Sequence, residues 1–233
     1  RCEVLGSSDF LGINYYSSTF ATAPVQRGVS AHRRKSGGLL PGTCCYADMG
    51  VRIHTAPTWE RTDMGWCVTP WALREVLLYV HKTYAPRHGT VISENGCAWE
   101  PPTSARLDSV EGALTPRPCN ISQRQPEDLK DETFFDAERI RFLWSHLDAV
   151  HEALECGADV RGYFVWSFLD NFEWNQGYAK RFGIVRVDYQ TQKRTIKSSG
   201  RFYAEVISRR GIFQPSLHHS VSGSPPRRLR ASP

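Results

Sequence analysis

The segment GYFVWSFLDNFEW, residues 162–174, joins a short apolar run to a turn rich in aromatic and polar side chains. Its first part, residues 162–168, contains no charged residue, which predicts a strand buried on both faces of a sheet. Its second part sets Glu173 between Phe172 and Trp174. A buried strand that ends in a carboxylate between aromatic rings is typical of an α/β sheet whose strand ends form a site.

Two other stretches of the chain have the same character. Residues 9–16, DFLGINYY, are interpreted as a buried strand that ends in Asn14 and Tyr16. Residues 90–94, TVISE, are interpreted as another, and Glu94 ends it just before a glycine-containing turn. Both runs therefore predict strands that carry polar side chains at their carboxyl ends.

Between and after these strands, apolar residues recur at the spacing of one helix face. Helices are predicted at residues 70–85, 132–156 and 198–209, and Thr69-Pro70 supplies a start signal for the first. Alternating strands and helices predict an α/β fold with a parallel sheet covered by helices. In such folds the chemistry lies at the carboxyl ends of the strands.

The composition is that of an ordinary globular protein. Of the 233 residues, 40% are apolar and 23% are charged, which excludes a disordered, collagen-like or coiled-coil protein. No apolar run approaches the roughly 18 residues that a membrane-spanning helix needs. The sequence therefore predicts no membrane-spanning helix, and the lack of net charge in residues 1–207 argues against an anionic membrane as a partner.

Positive charge is concentrated in residues 208–233, which contain five Arg and no acidic residue. Subtracting these five from the 29 Lys and Arg leaves 24 bases against 24 acids, so residues 1–207 are neutral. We expect one folded unit over residues 1–207, with long loops at 24–65 and 98–127, and a basic, disordered tail over 208–233. The neutral body argues against a nucleic-acid partner, and binding through the sparse Arg residues of the tail is the weaker alternative.

The cysteines give no sign of a metal centre. The seven cysteines form no CxxC pair and no Cys/His cluster with zinc spacing. The sequence therefore predicts neither a metal site nor a complete disulfide framework. Free thiols are the favoured interpretation, and a single disulfide, for instance one that involves Cys119, stays open. The compartment stays open, and the odd and unpatterned cysteine count favours the cytoplasm only slightly.

The predicted strand ends carry side chains suited to a sugar. Glu94 can serve as a nucleophile or base, and a hydrogen bond from Tyr16 would tune its basicity. Trp166 and Trp174 offer flat apolar faces, and Glu173 offers hydrogen bonds, which together match the amphipathic character of a sugar ring. The alternative is ordinary packing for the tryptophans and a salt-bridge role for the carboxylates.

These motifs resemble the C-terminal part of glycoside hydrolase family 1, the retaining β-glucosidase family. Residues 9–16 are similar to its sixth-strand motif, and residues 92–96 (ISENG) to its nucleophile motif, with Ser where Thr is commonest. Residues 162–174 and 177–189 are similar to its last strand and the hairpin that follows, and residues 63–66 (DMGW) also fit. The resemblance implies the C-terminal part of a (β/α)8 TIM barrel, with about three of its eight βα units.

The resemblance also implies an activity, which is hydrolysis of terminal nonreducing β-D-glycosyl residues by a retaining double displacement without a metal or organic cofactor. Glu173 favours unphosphorylated glycosides, because a carboxylate repels a phosphate. The glycon (glucose, galactose or fucose), the aglycone and the oligomeric state stay open. The roles implied are the nucleophile for Glu94, its hydrogen-bond donor for Tyr16, and substrate-binding positions for Asn14, Trp166, Glu173, Trp174 and Phe182.

One part of the family pattern is absent from the sequence. A retaining glycosidase needs a second carboxylate, roughly 5–5.5 Å from the nucleophile, as acid/base. The family carries that group in an Asn-Glu-Pro motif, and the chain contains no Asn-Glu dipeptide. We therefore expect the chain to act as part of a longer enzyme and to be inactive alone. The alternative is a catalytically incomplete fragment or a carbohydrate-binding remnant.

Overall fold

The computed structural model describes residues 8–23, 51–99, 135–213, 215 and 227–228. The predicted loops at 24–65 and 98–127 and the predicted tail therefore lie partly outside the described residues. In chain order the elements are β1 (Leu11–Tyr15), β2 (Phe20–Thr22), β3 (Arg52–His54), α1 (Pro70–Tyr84), β4 (Thr90–Asn95), α2 (Ala137–Glu155), β5 (Val160–Val165), β6 (Val185–Val187), β7 (Arg194–Ile196), α3 (Ser198–Arg209), β8 (Gly211–Ile212) and β9 (Arg227–Arg228).

A three-stranded parallel sheet, in the order β1-β4-β5, forms the centre of the fold. The central strand β4 pairs Ile92 with Ile13 of β1 and with Tyr163 of β5. The connections from β1 to β4 and from β4 to β5 each contain a long helix, as parallel pairing requires. The predicted α/β fold with a parallel sheet is confirmed.

Helices α1 and α2 pack against one face of this sheet. Leu73 and Leu77 of α1 meet Val150 of α2 over Ile92, and all four side chains are buried. A second cluster joins the middle of α2 to α3 and to β8, where Ile212 is buried. Burial of each large aliphatic side chain contributes about 1.5–3 kcal/mol, so these two clusters hold the helices on the sheet.

The prediction that residues 162–168 form a strand buried on both faces is wrong. The strand ends at Val165, and the side chains of Phe164 and Phe168 are 61% and 67% exposed. The helices cover only the face that carries Ile13, Ile92 and Tyr163, whose side chains reach the core. Apolar runs alone do not tell a strand covered on one face from a strand covered on both.

The element bounds also differ from the prediction at several ends. The second helix spans Ala137–Glu155 instead of 132–156, and residues 132–134 lie outside the described residues. The antiparallel pair β2–β3 falls partly inside the predicted loop at 24–65, because three-residue strands have no readable periodicity. The packed body continues past the predicted boundary at residue 207, since α3 reaches Arg209 and the following strand β8 enters the core.

His146 is a buried polar side chain inside this core. Its ring lies on α2 between Phe142, at 3.9 Å between ring centroids, and Tyr15, at 5.9 Å. The Nδ1–H group donates to the Phe142 carbonyl oxygen at 2.8 Å, and Nε2 has no hydrogen-bond partner among the described residues. Burial lowers the pKa of His146 to about 4, so the ring is neutral in the folded chain near neutral pH.

We expect His146 to make the fold sensitive to acid. The unfolded chain binds a proton at this residue below its ordinary pKa of 6.5, whereas the folded chain does so only near pH 4. The free energy of unfolding should therefore fall as the pH drops through this window, by about 3 kcal/mol from this residue. Urea unfolding from pH 7 to 4 should show a smaller decrease for His146→Leu than for the parent chain. The surface variant His81→Gln is the control, and an unchanged slope in His146→Leu would contradict the assignment.

Candidate active site

The carboxyl ends of β1, β4 and β5 lie at the same edge of the sheet, because the three strands are parallel. Tyr16 follows β1, Glu94 lies near the end of β4, and Trp166 follows β5. The Tyr16 hydroxyl donates to Oε2 of Glu94 at 2.5 Å. The backbone N–H of Trp166 donates to the carbonyl oxygen of Asn95 at 2.9 Å, which keeps the end of β5 beside β4. The sequence separates these residues widely, and the sheet brings them together.

The hydroxyl group of Tyr16 is a fixed hydrogen-bond donor. Burial raises its pKa well above the ordinary value, and the hydrogen bond to Glu94 raises it further. The phenol therefore keeps its proton in the folded chain. Glu94, half-buried, receives this hydrogen bond on one oxygen, so the carboxylate is oriented by a group that does not itself ionise.

Two aromatic rings, those of Phe182 and Trp66, hold Tyr16 in place. Phe182, whose side chain is 1% exposed, meets Tyr16 edge-on at 6.1 Å between ring centroids. Trp66 lies 5.4 Å from Tyr16 and 5.9 Å from Phe182. Sequence reasoning noted residues 63–66 as a motif but gave Trp66 no role at the site. Its contacts make it part of the wall that supports the Tyr16–Glu94 pair.

Glu173 supplies a second carboxylate. Its side chain is buried, and Oε1 accepts a hydrogen bond from the indole Nε1–H of Trp166 at 3.2 Å. Burial raises the pKa of Glu173, and the negative charges of Glu94 and Asp170 raise it slightly more. Hydrogen bonds from Trp166 and Asn171 act in the opposite direction, because they stabilise the charged form. The two carboxylates therefore lie close enough for the charge of Glu94 to act on Glu173.

The other two predicted residues have looser places in this arrangement. Asn14 is paired with Glu94 in the strand register, and its Oδ1 accepts from the Ser93 hydroxyl at 2.7 Å on the open face of the sheet. Trp174 follows Glu173 directly, and its side chain is 84% exposed. The structure thus joins Tyr16, Glu94 and Phe182 by contact, and Trp166 with Glu173 by a hydrogen bond. It sets Asn14 beside Glu94 and leaves Trp174 at the exposed rim.

A close backbone approach fixes the distance between the two halves of the site. A Cβ atom added at Gly96 would lie 1.6 Å from the carbonyl oxygen of Trp166, where the chain passes through a cis peptide bond to Ser167. Only glycine permits this approach. It follows that the turn after Glu94 and the turn that carries Trp166 are held in direct backbone contact.

The site combines carboxylates, hydrogen-bond donors and aromatic rings at one edge of the sheet. Among the described residues, no group of three His, Cys, Asp or Glu side chains lies together as a metal site would need. None of the helices in the described part of the chain is long and apolar enough to cross a membrane. What the site does offer is one carboxylate oriented by a phenol, a second oriented by an indole, and aromatic walls around both.

Comparisons with known proteins give consistent results. The sequence model of "Glycosyl hydrolase family 1" matches residues 2–110 and 121–212. A 1,4-beta-D-glucan glucohydrolase of Thermotoga neapolitana is 34% identical over 210 residues, which are 90% of this chain and 37% of that protein. A bifunctional beta-D-glucosidase/beta-D-fucosidase of Bifidobacterium breve is also 34% identical, over 86% of this chain and 37% of its own length.

Solved structures give the same picture. A beta-glucosidase from Thermotoga maritima, in complex with glucoimidazole, matches with a TM-score of 0.63 and 31% identity. The match covers 89% of this chain and 36% of that structure. The chain therefore spans somewhat more than a third of the length of these relatives.

The close approach at Gly96 leads to a prediction about stability. Gly96→Ala should cost about 3 kcal/mol, because the methyl group meets backbone atoms that no side-chain rotation can move. Urea unfolding and near-ultraviolet circular dichroism should show a lower midpoint and altered tryptophan bands. Gly12→Ala is the matched control, since its nearest atom, at 3.3 Å, is the movable hydroxyl of Ser93, and it should cost under about 1 kcal/mol. Equal losses in the two variants would contradict this account.

Proposed function

The chain belongs to glycosyl hydrolase family 1, and from this membership we propose that it carries the nucleophile side of a retaining β-glucosidase-type active site. The proposed substrates are β-glycosides with a terminal nonreducing, glucosyl-type residue. The observation that supports this most is the 2.5 Å hydrogen bond from Tyr16 to Glu94, beside the buried Glu173. The names of the relatives, which are β-glucosidases and a β-glucosidase/β-fucosidase, are consistent with it.

Glu94 is the proposed nucleophile. One of its oxygens attacks the anomeric carbon, the bond to the leaving oxygen breaks, and a covalent glycosyl ester forms. Water then attacks the same carbon, which releases the sugar and returns the carboxylate. The hydrogen bond from Tyr16 orients Glu94 for both steps, and the aromatic wall of Phe182 and Trp66 keeps Tyr16 in place.

The acid/base of this reaction is proposed to come from residues outside this sequence. A retaining enzyme needs it roughly 5–5.5 Å from the nucleophile, and the sequence contains no Asn-Glu pair that fits the family motif. We accordingly propose that β1, β4 and β5 are the last three strands of a (β/α)8 barrel. On this proposal the chain alone does not turn over glycosides.

Glu173, Trp166 and Trp174 are the proposed sugar-binding residues. Trp166 forms the floor beneath the ring, and Glu173 accepts hydrogen bonds from hydroxyl groups at the far side of the sugar. A buried carboxylate left without those hydroxyls would keep an unpaired charge, so the site discriminates against substrates that lack them. The negative charge of Glu173 also disfavours 6-phosphorylated sugars. Asn14 completes the lining beside Glu94.

The nucleophile can be tested without the acid/base. In 2-deoxy-2-fluoro-β-D-glucosyl fluoride, the C1–F bond breaks as the Glu94 oxygen bonds to C1, and fluoride leaves with the electron pair. Fluoride needs no protonation, so the first step does not require an acid. We expect the intact mass of the chain to rise by one fluoroglucosyl group, and peptide mapping to locate it on Glu94. Glu94→Gln should take no label.

A surface variant and a second substrate complete this test. Glu205→Gln, on the outer side of α3, should be labelled at the rate of the parent chain. A folded chain that takes no label, or takes it elsewhere than Glu94, would refute the nucleophile. Hydrolysis of an aryl β-glucoside by the isolated chain would refute the proposal that the acid/base lies elsewhere. Labelling without turnover is the expected combination.

Glu173 makes a separate prediction about sugar recognition. Glu173→Ala should weaken transition-state binding by about 2–4 kcal/mol, because a charged hydrogen-bonding partner of the sugar is lost. The second-order rate constant of labelling should then fall about 30- to 900-fold. The same Glu205→Gln variant is the control. A parent chain that reacts faster with the 6-phosphorylated form of the reagent than with the plain form would overturn this role.

A further inference from the structure

We propose that Asp170 is a positioning residue that holds the segment carrying Glu173 and the segment carrying Phe182 in one fixed arrangement. The inference rests on the proposed function, because it concerns how that site is assembled. Asp170 lies three residues before Glu173, in the turn that follows β5. Its side chain is fully buried.

Four hydrogen bonds use both oxygens of the Asp170 carboxylate. Oδ1 accepts from the backbone N–H of Gly183 at 2.9 Å and from Nζ of Lys197 at 2.9 Å. Oδ2 accepts from Nη1 of Arg181 at 2.9 Å and from the backbone N–H of Val187 at 3.3 Å. A carboxylate bound by two cations and two amides has little freedom to move.

Two of these donors lie on either side of Phe182. Arg181 and Gly183 both bond to Asp170, so the Phe182 backbone is held from both directions. The backbones are in direct contact as well, since a Cβ atom added at Gly183 would lie 2.2 Å from the Asp170 nitrogen. Phe182 is thereby fixed relative to the turn that carries Glu173.

The contact continues from Phe182 to the other carboxylate. Phe182 packs edge-on against Tyr16, and Tyr16 donates to Glu94. Asp170 lies three positions before Glu173 in the chain. Beyond Phe182, two side-chain contacts lead to Glu94, namely Phe182 with Tyr16 and Tyr16 with Glu94. Both carboxylates take their positions from one buried charge, although Asp170 touches neither.

The buried charge of Lys197 depends on Asp170 for its stabilisation. Its side chain is buried, and burial lowers its pKa to about 8, with the positive charge of Arg139 acting in the same direction. Asp170 opposes both effects through its charge and its hydrogen bond. Removing the carboxylate charge would leave Lys197 and Arg181 without their shared buried anion, and the two segments would separate.

The test compares Asp170→Asn with a double variant, Asp170→Asn/Lys197→Met, which also removes a cation and so limits general unfolding. Hydrogen exchange of the whole chain is measured by mass spectrometry. We expect both variants to lose protection in residues 167–173 and 181–187, and to keep it in β4. Leu77→Ala, in the α1 core, is the control for general destabilisation and should not affect the two segments selectively.

A double-mutant cycle measures whether Asp170 acts through Glu173. The second-order rate constant of labelling by 2-deoxy-2-fluoro-β-D-glucosyl fluoride should fall at least tenfold in Asp170→Asn. In a Glu173→Ala background, the same substitution should lower it by a clearly smaller factor, because the part of the effect that passes through Glu173 is already lost and only the part that passes through Phe182 and Tyr16 remains. The folded Leu77→Ala chain should react at the parent rate.

Each outcome decides the inference. Additive losses in the cycle, or loss of protection that includes β4 to the same extent, would show a merely structural role for Asp170 and overturn it. A parent chain that is never labelled would refute the proposed function instead. In that case the hydrogen-exchange pattern alone tests the role of Asp170. Unprotected amides at Gly183 and Val187 in the parent chain would overturn that role.

Discussion

The parallel pairing of β1 with β4 is the constraint on which the rest of the structure depends. It places the carboxyl ends of two strands at one edge of the sheet, where Tyr16 reaches Glu94, 78 residues away along the chain. An antiparallel arrangement would put these side chains at opposite ends. The long connection that parallel strands need is used to build α1, which then covers one face of the sheet. The same pairing therefore determines both the helix layer and the site.

Buried charges set the geometry of the turns around this edge. Arg139, 1% exposed, is paired with Asp136 and donates to the carbonyl oxygens of Cys97, Trp99 and Arg181. It thus ties the segment after β4 to the segment before β6. Asp170 joins that second segment to the turn after β5. Buried ion pairs add little net stability compared with apolar packing, but breaking one partner is costly, which makes them suited to fixing one arrangement of irregular chain.

The sequence predicts the meeting of Tyr16 with Glu94 better than it predicts what surrounds them. Glu94 and Tyr16 could be located because each ends a short apolar run, and the pairing of the strand ends follows from a parallel sheet. The exposure of Phe164 could not be predicted, because periodicity shows that a strand is apolar without showing how many of its faces are covered. The roles of Trp66 and Asp170 depend on contacts between distant segments, and no local pattern reports those contacts.

The open face of the sheet links the fold to the proposed chemistry. Phe164 and Phe168 expose most of their side chains on the side away from the helices, at the same sheet that carries Glu94. Exposed apolar surface of this kind favours association with further apolar structure. In the barrel arrangement proposed above, strands outside this sequence would cover these rings and would also carry the acid/base. On that proposal the same strands would cover the exposed rings and supply the acid/base, so a chain that gains catalytic turnover should bury Phe164 at the same time.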